Sequence, residues 1–176
     1  MIKSLVNLIP FFLLQETREE KIMSVTLDNL LVVLTFLKLH IFNQLNLLTC
    51  ISGIDFLGAH NRFCVIYELL SVSFNTRLRI KVFINTNDCL PSTSPIFICA
   101  NWWEREIWDM FGIFFKNHPD LRRILTDYGF DGFPLRKDFP LCGYVDLRYN
   151  PKKRLIISEP IELAQNFRSF IFENQW

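Results

Sequence analysis

The chain has 176 residues, with 19 Lys and Arg against 18 Asp and Glu and a formal net charge of +1. It can hold one ordinary domain and an appendage, and no global field marks it as a nucleic-acid or polyanion binder. Half of its residues are hydrophobic and 15% aromatic, including 18 Phe, more apolar surface than a small free-standing domain hides, so part of it is expected to face a partner.

At the N-terminus, Lys3 is followed by Leu5, Val6, Leu8, Ile9 and an apolar run over 11–14, which resembles the start of a signal peptide. Pro10 interrupts it, and Gln15, Glu16, Arg18, Glu19 and Glu20 follow without a small-residue cleavage site. Residues 1–24 therefore read as a docking or interfacial segment rather than a cleaved leader. A first helix is predicted over 27–39, with Thr26 as N-cap, Asp28 in its first turn and Lys38 near its end. Its apolar face is Leu27, Leu30, Leu31, Leu34 and Leu37. The longest uncharged run, 39–54, contains His40, Asn43, Gln44, Asn46 and Ser52, and is too short and too polar for a membrane span.

Three strands are predicted over 45–52, 63–70 and 78–84, separated by turns at 53–55, 58–62 and 73–76. Short connections favour antiparallel neighbours. In the third, Arg77, Arg79 and Lys81 alternate with Leu78, Ile80 and Val82, the pattern of a sheet with one face on the core. Residues 87–95, with Pro91, Ser92, Thr93, Ser94 and Pro95, read as a surface loop. A second helix follows, capped by Asn101 with Glu104 three positions on, and closed by Gly112. Trp103, Ile107, Met110 and Phe111 form its apolar face, and Arg105 and Asp109 are an i,i+4 pair.

The pattern as a whole predicts an α+β fold: one two-layer domain over 25–134, with a mixed, largely antiparallel sheet and packed helices, and an extended C-terminal arm over 135–176. The arm has Pro140, Pro151 and Pro160 and no sustained period, yet carries Phe139, Tyr144, Tyr149, Phe167, Phe170, Phe172 and Trp176. Disordered tails are poor in aromatics, so these are expected to anchor in grooves of another subunit.

Candidate chemistry concentrates between 102 and 140. Glu104, Arg105, Glu106 and Asp109 crowd three acids and a base into under two helical turns. Paired carboxylates can do acid–base work, but Glu104 and Asp109 fall on different faces, so a buried or interfacial ion-pair role is expected. His118 reads as a turn residue bonded to a backbone carbonyl rather than as a lone base. Arg122, Arg123, Arg136 and Lys137, interleaved with Phe130, Phe133 and Phe139, suggest an RNA-binding module as an alternative. Asp120, Asp127, Asp131 and Asp138 offset those charges, which favours ion pairing. Cysteines at 50, 64, 89, 99 and 142 show no close ligand spacing, and the six glycines form no phosphate loop.

The strings W-W-E-R-E-I-W-D-M-F-G-I-F-F over 102–115, H-P-D-L-R-R-I-L-T-D-Y-G-F over 118–130 and P-L-R-K-D-F-P-L over 134–141 closely resemble the thirty-kilodalton subunit family of respiratory complex I. The match continues through G-Y-V-D-L-R-Y at 143–149 and S-E-P-I-E at 158–162, which resembles the mitochondrial and bacterial branch more than the chloroplast one. The signature and interface positions this implies are Trp103, Glu104, Arg105, Glu106, Asp109, His118, Arg122, Arg123, Arg136 and Asp138. The resemblance implies a structural core subunit of the peripheral arm of NADH:ubiquinone oxidoreductase, with no catalytic residue, metal or cofactor of its own. FMN and iron–sulfur clusters would sit in other subunits. It further implies packing against the forty-nine-kilodalton quinone-module subunit and neighbouring cluster-bearing subunits, on the matrix side of the mitochondrial inner membrane. A related subunit of a membrane-bound hydrogenase is the other alternative. The abundance of Phe, Ile, Leu and Asn suits a gene in an AT-rich mitochondrial genome.

Overall fold

The computed structural model describes residues 12–16, 21–165 and 167–168. Their contacts divide the chain into two compact units, Met1–Phe139 and Pro140–Trp176. The boundary expected between 134 and 135 thus lies five residues later. The Leu135 amide donates to the Met110 carbonyl at 3.1 Å, and Arg136, Lys137 and Asp138 all bond within the first unit.

The first unit is α+β. Its sheet comprises β1 (Phe12–Glu16), β2 (Lys21–Val25), β3 (Leu47–Asp55), β4 (Phe63–Ser71) and β5 (Thr76–Ile84), in spatial order β1-β2-β5-β4-β3. β3, β4 and β5 form an antiparallel meander, β1 pairs antiparallel with β2, and β2 runs parallel to β5. The sheet is therefore mixed and largely antiparallel, as its short connections predict. β5 keeps its alternation: Leu78, Ile80, Val82 and Ile84 are buried, and Arg79 on the opposite face meets Glu68 of β4. Residues 21–24, assigned from sequence to the docking segment, are strand residues of this sheet, with Met23 in the core.

Helix α1 (Leu30–Leu39) buries Leu30, Val33, Leu34 and Leu37; of the expected face Leu31 is only partly buried, and Val33, not expected there, faces the core instead. It does not start at residue 27. A 3-10 turn over Leu27–Asn29 precedes it, and the Thr26 hydroxyl, expected to cap, instead accepts from the Asn29 side chain at 2.9 Å. Helix α2 (Ala100–Phe111) also begins without the expected box: no side chain caps it, and Glu104 turns into the fold. Its C-terminus is as read. Gly112 takes φ +72 and donates to the Trp108 carbonyl at 2.9 Å. A Cβ there would also lie 2.6 Å from both Phe133 and Arg136, so glycine is required twice over.

Residues 53–55 are not a turn; they continue β3, with Gly53 opposite Val65 and Asp55 opposite Phe63. Glycine serves here as a thin spot, because a Cβ would come within 2.8 Å of the Phe111 ring where α2 lies on β3. Two short parallel strands, β6 (Leu90–Pro91) and β7 (Phe115–Lys116), bracket α2 in sequence.

In the second unit, the stretch read as lacking any period forms a hairpin of β8 (Val145–Asn150) and β9 (Leu155–Pro160), in register from Val145 with Pro160 to Asn150 with Leu155. Among the described residues of its unit no layer covers it, and Val145, Leu147, Tyr149 and Ile156 are each more than half exposed. Without a buried face, the sequence has no reason to alternate, which is why the strands were invisible to periodicity. Residues 1–11 of the expected docking segment and the arm residues Phe170, Phe172 and Trp176 lie outside the described residues.

The glycine at position 53 generates a test. Gly53→Ala forces its methyl against Phe111 and should lower stability by about 1–3 kcal/mol in urea unfolding. Adding Phe111→Leu should recover part of that loss; an unchanged midpoint for Gly53→Ala alone would refute the close approach.

Candidate functional site

Helix α2 does not turn a charged side to solvent. Glu104, Arg105 and Asp109 are buried, beside Ala100, Ile107 and Phe111. Glu104 and Asp109 are five residues apart, about 140° around a helix, so one covered face cannot hide both. Two irregular segments wrap α2 on different sides, and each carboxylate holds one of them.

Glu104 is fully buried and accepts three short hydrogen bonds from the 92–93 segment: from the Ser92 hydroxyl, the Thr93 amide and the Thr93 hydroxyl, each at 2.6 Å. The run of Pro, Ser and Thr that reads as a surface loop is therefore an inward clamp at Ser92 and Thr93, both buried. His118 lies against the same carboxylate, with Nε2 at 3.7 Å from Glu104 and 3.2 Å from the Asn101 carbonyl. Its Nδ1 accepts the Asp120 amide at 3.1 Å, which leaves the proton on Nε2 to donate to that carbonyl. Both side chains are wholly enclosed. Tyr67 of β4 is enclosed as well, and burial together with the nearby Glu104 charge pushes its hydroxyl well above its ordinary value.

Asp109 does for the 124–126 segment what Glu104 does for 92–93. Its Oδ2 accepts the amides of Ile124, Leu125 and Thr126 at 3.3, 2.8 and 2.9 Å, and its Oδ1 accepts the Thr126 hydroxyl at 2.7 Å. Burial by itself raises this carboxyl, but the four donors outweigh it and hold it below its ordinary value. Arg123 lies 3.8 Å away and spans the loop above, donating to the carbonyls of Phe130 and Gly132 at 2.9 and 3.0 Å. Arg105 does not pair with Asp109; its Nε donates to the Arg122 carbonyl at 3.1 Å and its guanidinium lies over Trp102.

A third anchor joins the end of β3 to the segment after α2. Asp55 accepts Arg62 at 2.8 and 2.9 Å and the Lys137 amide at 2.8 Å, while Arg62 also meets Asp138 at 3.0 Å. The Arg62 guanidinium holds both Asp55 and Asp138 below the ordinary carboxyl value, and Asp55 in turn raises that of Arg62. Arg136 donates to the Phe111 carbonyl at 2.6 Å, satisfying a group that a helix end leaves open. Its guanidinium stacks over Phe133 and Phe63.

Of the positions singled out from sequence, Glu104 and His118 come together at one end of α2, Asp109 and Arg123 further along it, and Arg136 and Asp138 beyond its C-terminus. Arg122 is exposed and pairs with Asp120 at 3.0 Å; Trp103 packs against the core, and Glu106 is partly buried. The aromatics proposed to stack on RNA are engaged internally: Phe133 by Arg123, Arg136 and Trp108, and Phe130 by Phe139. Sequence reasoning missed Asp55, Arg62, Ser92, Thr93 and Thr126. The sharpest available signal was hydroxyl pairs near lone acids, but an Asp two residues after Gly and a Ser-Thr run between prolines are ordinary turn chemistry.

Asp55, Glu104 and Asp109 each accept three or more hydrogen bonds from their own chain, an arrangement that fixes backbone shape. Acid should dismantle it. The folded values of Asp55, Asp109 and Asp138 are depressed, so the stability they contribute is complete above the ordinary carboxyl range, about pH 4, and is lost as pH falls through the lower folded values. Urea midpoints are expected to drop on moving from neutral pH to about pH 3, and Asp109→Asn to flatten that drop; a wild-type slope in the variant would exclude Asp109 as a contributor. Asp109→Ala, which strands four partly buried donors, should cost about 1–3 kcal/mol.

The family model described as "Respiratory-chain NADH dehydrogenase, 30 Kd subunit" matches residues 23–145. Proteins named NADH dehydrogenase [ubiquinone] iron-sulfur protein 3 from Solanum tuberosum, Arabidopsis thaliana and Oryza sativa subsp. japonica are each 50% identical to the chain over 149 residues, covering 85% of it and 78% of the relative. The matched span runs from Met23 inside β2 and holds β3 to β5, both helices and all three anchors, and on that ground the chain belongs to the thirty-kilodalton subunit family of respiratory-chain NADH dehydrogenase.

Proposed function

We propose that the chain is a structural core subunit of the peripheral arm of NADH:ubiquinone oxidoreductase, and that it supports electron transfer from NADH to ubiquinone without holding a redox centre. One observation carries the structural role: Glu104, Arg105, Asp109, Arg123 and Arg136 of the family signature are tied into the chain's own backbone as loop anchors. Such anchors preserve the shape of a surface, which is what an assembly subunit contributes.

The relatives are named iron–sulfur proteins, and the cysteines of this chain do not fit a cluster. Burial pushes the Cys64 thiol up to about 11, away from the thiolate that a cluster requires. Cys50 is partly buried, Cys89, Cys99 and Cys142 are exposed, and among the described residues no three His, Cys, Asp or Glu side chains gather as metal ligands. In this reading FMN and the clusters belong to other subunits. The forty-nine-kilodalton quinone-module subunit is the chief partner, with cluster-bearing subunits beside it. No described helix is long and apolar enough to cross a membrane. We place the chain on the matrix side of the mitochondrial inner membrane as a peripheral subunit, encoded in the organelle.

Native electrophoresis of source membranes, with mass identification of the co-migrating chains, tests the assembly role. The chain should travel with flavin and iron–sulfur subunits; migration apart from them would reject it. Glu104→Ala, which releases the 92–93 segment, should lower the amount of assembled complex severalfold while turnover per assembled complex stays within about twofold. Normal assembly with abolished quinone reduction would instead make Glu104 a catalytic residue.

A further inference from the structure

Tyr128 stands entirely clear of its own chain, with a relative exposure of 103%, and Leu125 beside it is 60% exposed. An aromatic ring left in water on a loop tip is ordinary where the loop is loose. This tip is held at both ends. Its entry is fixed by the three amides of residues 124–126 on the Asp109 carboxylate, and its exit by the Phe130 and Gly132 carbonyls on Arg123. Within it, the Tyr128 amide donates to Asp127 Oδ1 at 2.8 Å and the Phe130 amide to the Asp127 carbonyl at 3.2 Å. The Asp109 carboxylate is fully buried and the partly exposed Arg123 guanidinium lies 3.8 Å from it, so one charge pair with a buried acid sets the posture of an exposed tyrosine.

The tip's own charge is one-sided. Between residues 124 and 135 the ionisable carboxylates are Asp127 and Asp131, both exposed, and the segment contains neither Lys nor Arg. A preorganised tyrosine loses little entropy on binding, and tyrosine is among the residues that dominate interface energetics. Two flanking carboxylates repel an anionic lipid surface and favour a surface rimmed by Lys or Arg.

We propose that the tip over 124–131 is a preset docking knob, and that Tyr128 seats in a pocket with a basic rim on a neighbouring subunit of the same assembly. This rests on the assembly role proposed above. The Asp109–Arg123 couple positions the knob, and Asp127 and Asp131 select the partner.

The test uses the full chain, returned to cells that lack it, with a photo-reactive phenylalanine derivative replacing Tyr128. Illumination of the assembled complex should join position 128 to a Lys- or Arg-containing peptide of a different subunit. A bond to a second copy of this chain, to lipid, or to nothing while the complex is intact would overturn the knob and leave the assembly role standing. Absence of the wild-type chain from the complex would overturn both. Tyr128→Ala should weaken incorporation by about 30-fold in affinity with the thermal midpoint of the isolated chain unchanged. The pair Asp127→Asn and Asp131→Asn keeps the backbone acceptor but should remove the salt dependence of incorporation; a wild-type salt response in that variant would also refute the basic rim.

Discussion

Four donors converge on the Asp109 carboxylate, and the course of the chain from Arg122 to Phe139 depends on them. A segment with so many Gly, Pro and Asp residues has little secondary structure to satisfy its backbone. A buried anion supplies the acceptor that a strand or helix would otherwise provide. Glu104 does the same for 92–93 and Asp55 for Lys137, so three acids on regular elements replace secondary structure in three irregular ones. Helix α2 matters here less for its apolar face than for carrying two of these acids.

Buried ionic and polar groups rarely maximise stability, since desolvation consumes much of what the contacts return. What they can add is a single arrangement. An apolar α2 could slide against loops that have no register of their own; Glu104 and Asp109 accept only from donors at particular positions. This division of labour fits a molecule in which the sheet and α1 supply the apolar core, including Met23, Leu34, Tyr67 and Ile80, while α2 supplies definition at the surface that faces outward.

The sequence was most legible where burial follows a period. The β5 alternation, the α1 face and the Gly112 terminus were all readable, because each follows from local geometry alone. It was least legible where a residue's partner is distant in sequence. Asp55 and Lys137 are 82 positions apart, and Glu104 reaches back to a segment that any turn rule assigns to solvent. The β8–β9 hairpin failed for the opposite reason, having too little burial to leave a pattern. The family resemblance marks Glu104 and Asp109 but not Asp55, and it gives no sign that Glu104 and Asp109 serve chiefly as acceptors of loop donors, because those donors lie 11 to 17 residues away in the sequence.

The parallel pairing of β2 with β5 sets a condition on synthesis. Ile22 must find Arg79, and Ser24 must find Lys81, so the strand made early cannot seat until the chain has grown by nearly sixty residues. At about 5–20 residues per second, Met23 waits several seconds outside the core that will later enclose it completely. During that interval the meander can close on its own while the first strands remain unseated. The end of the chain that leaves the ribosome first is therefore among the last parts of the sheet to be locked.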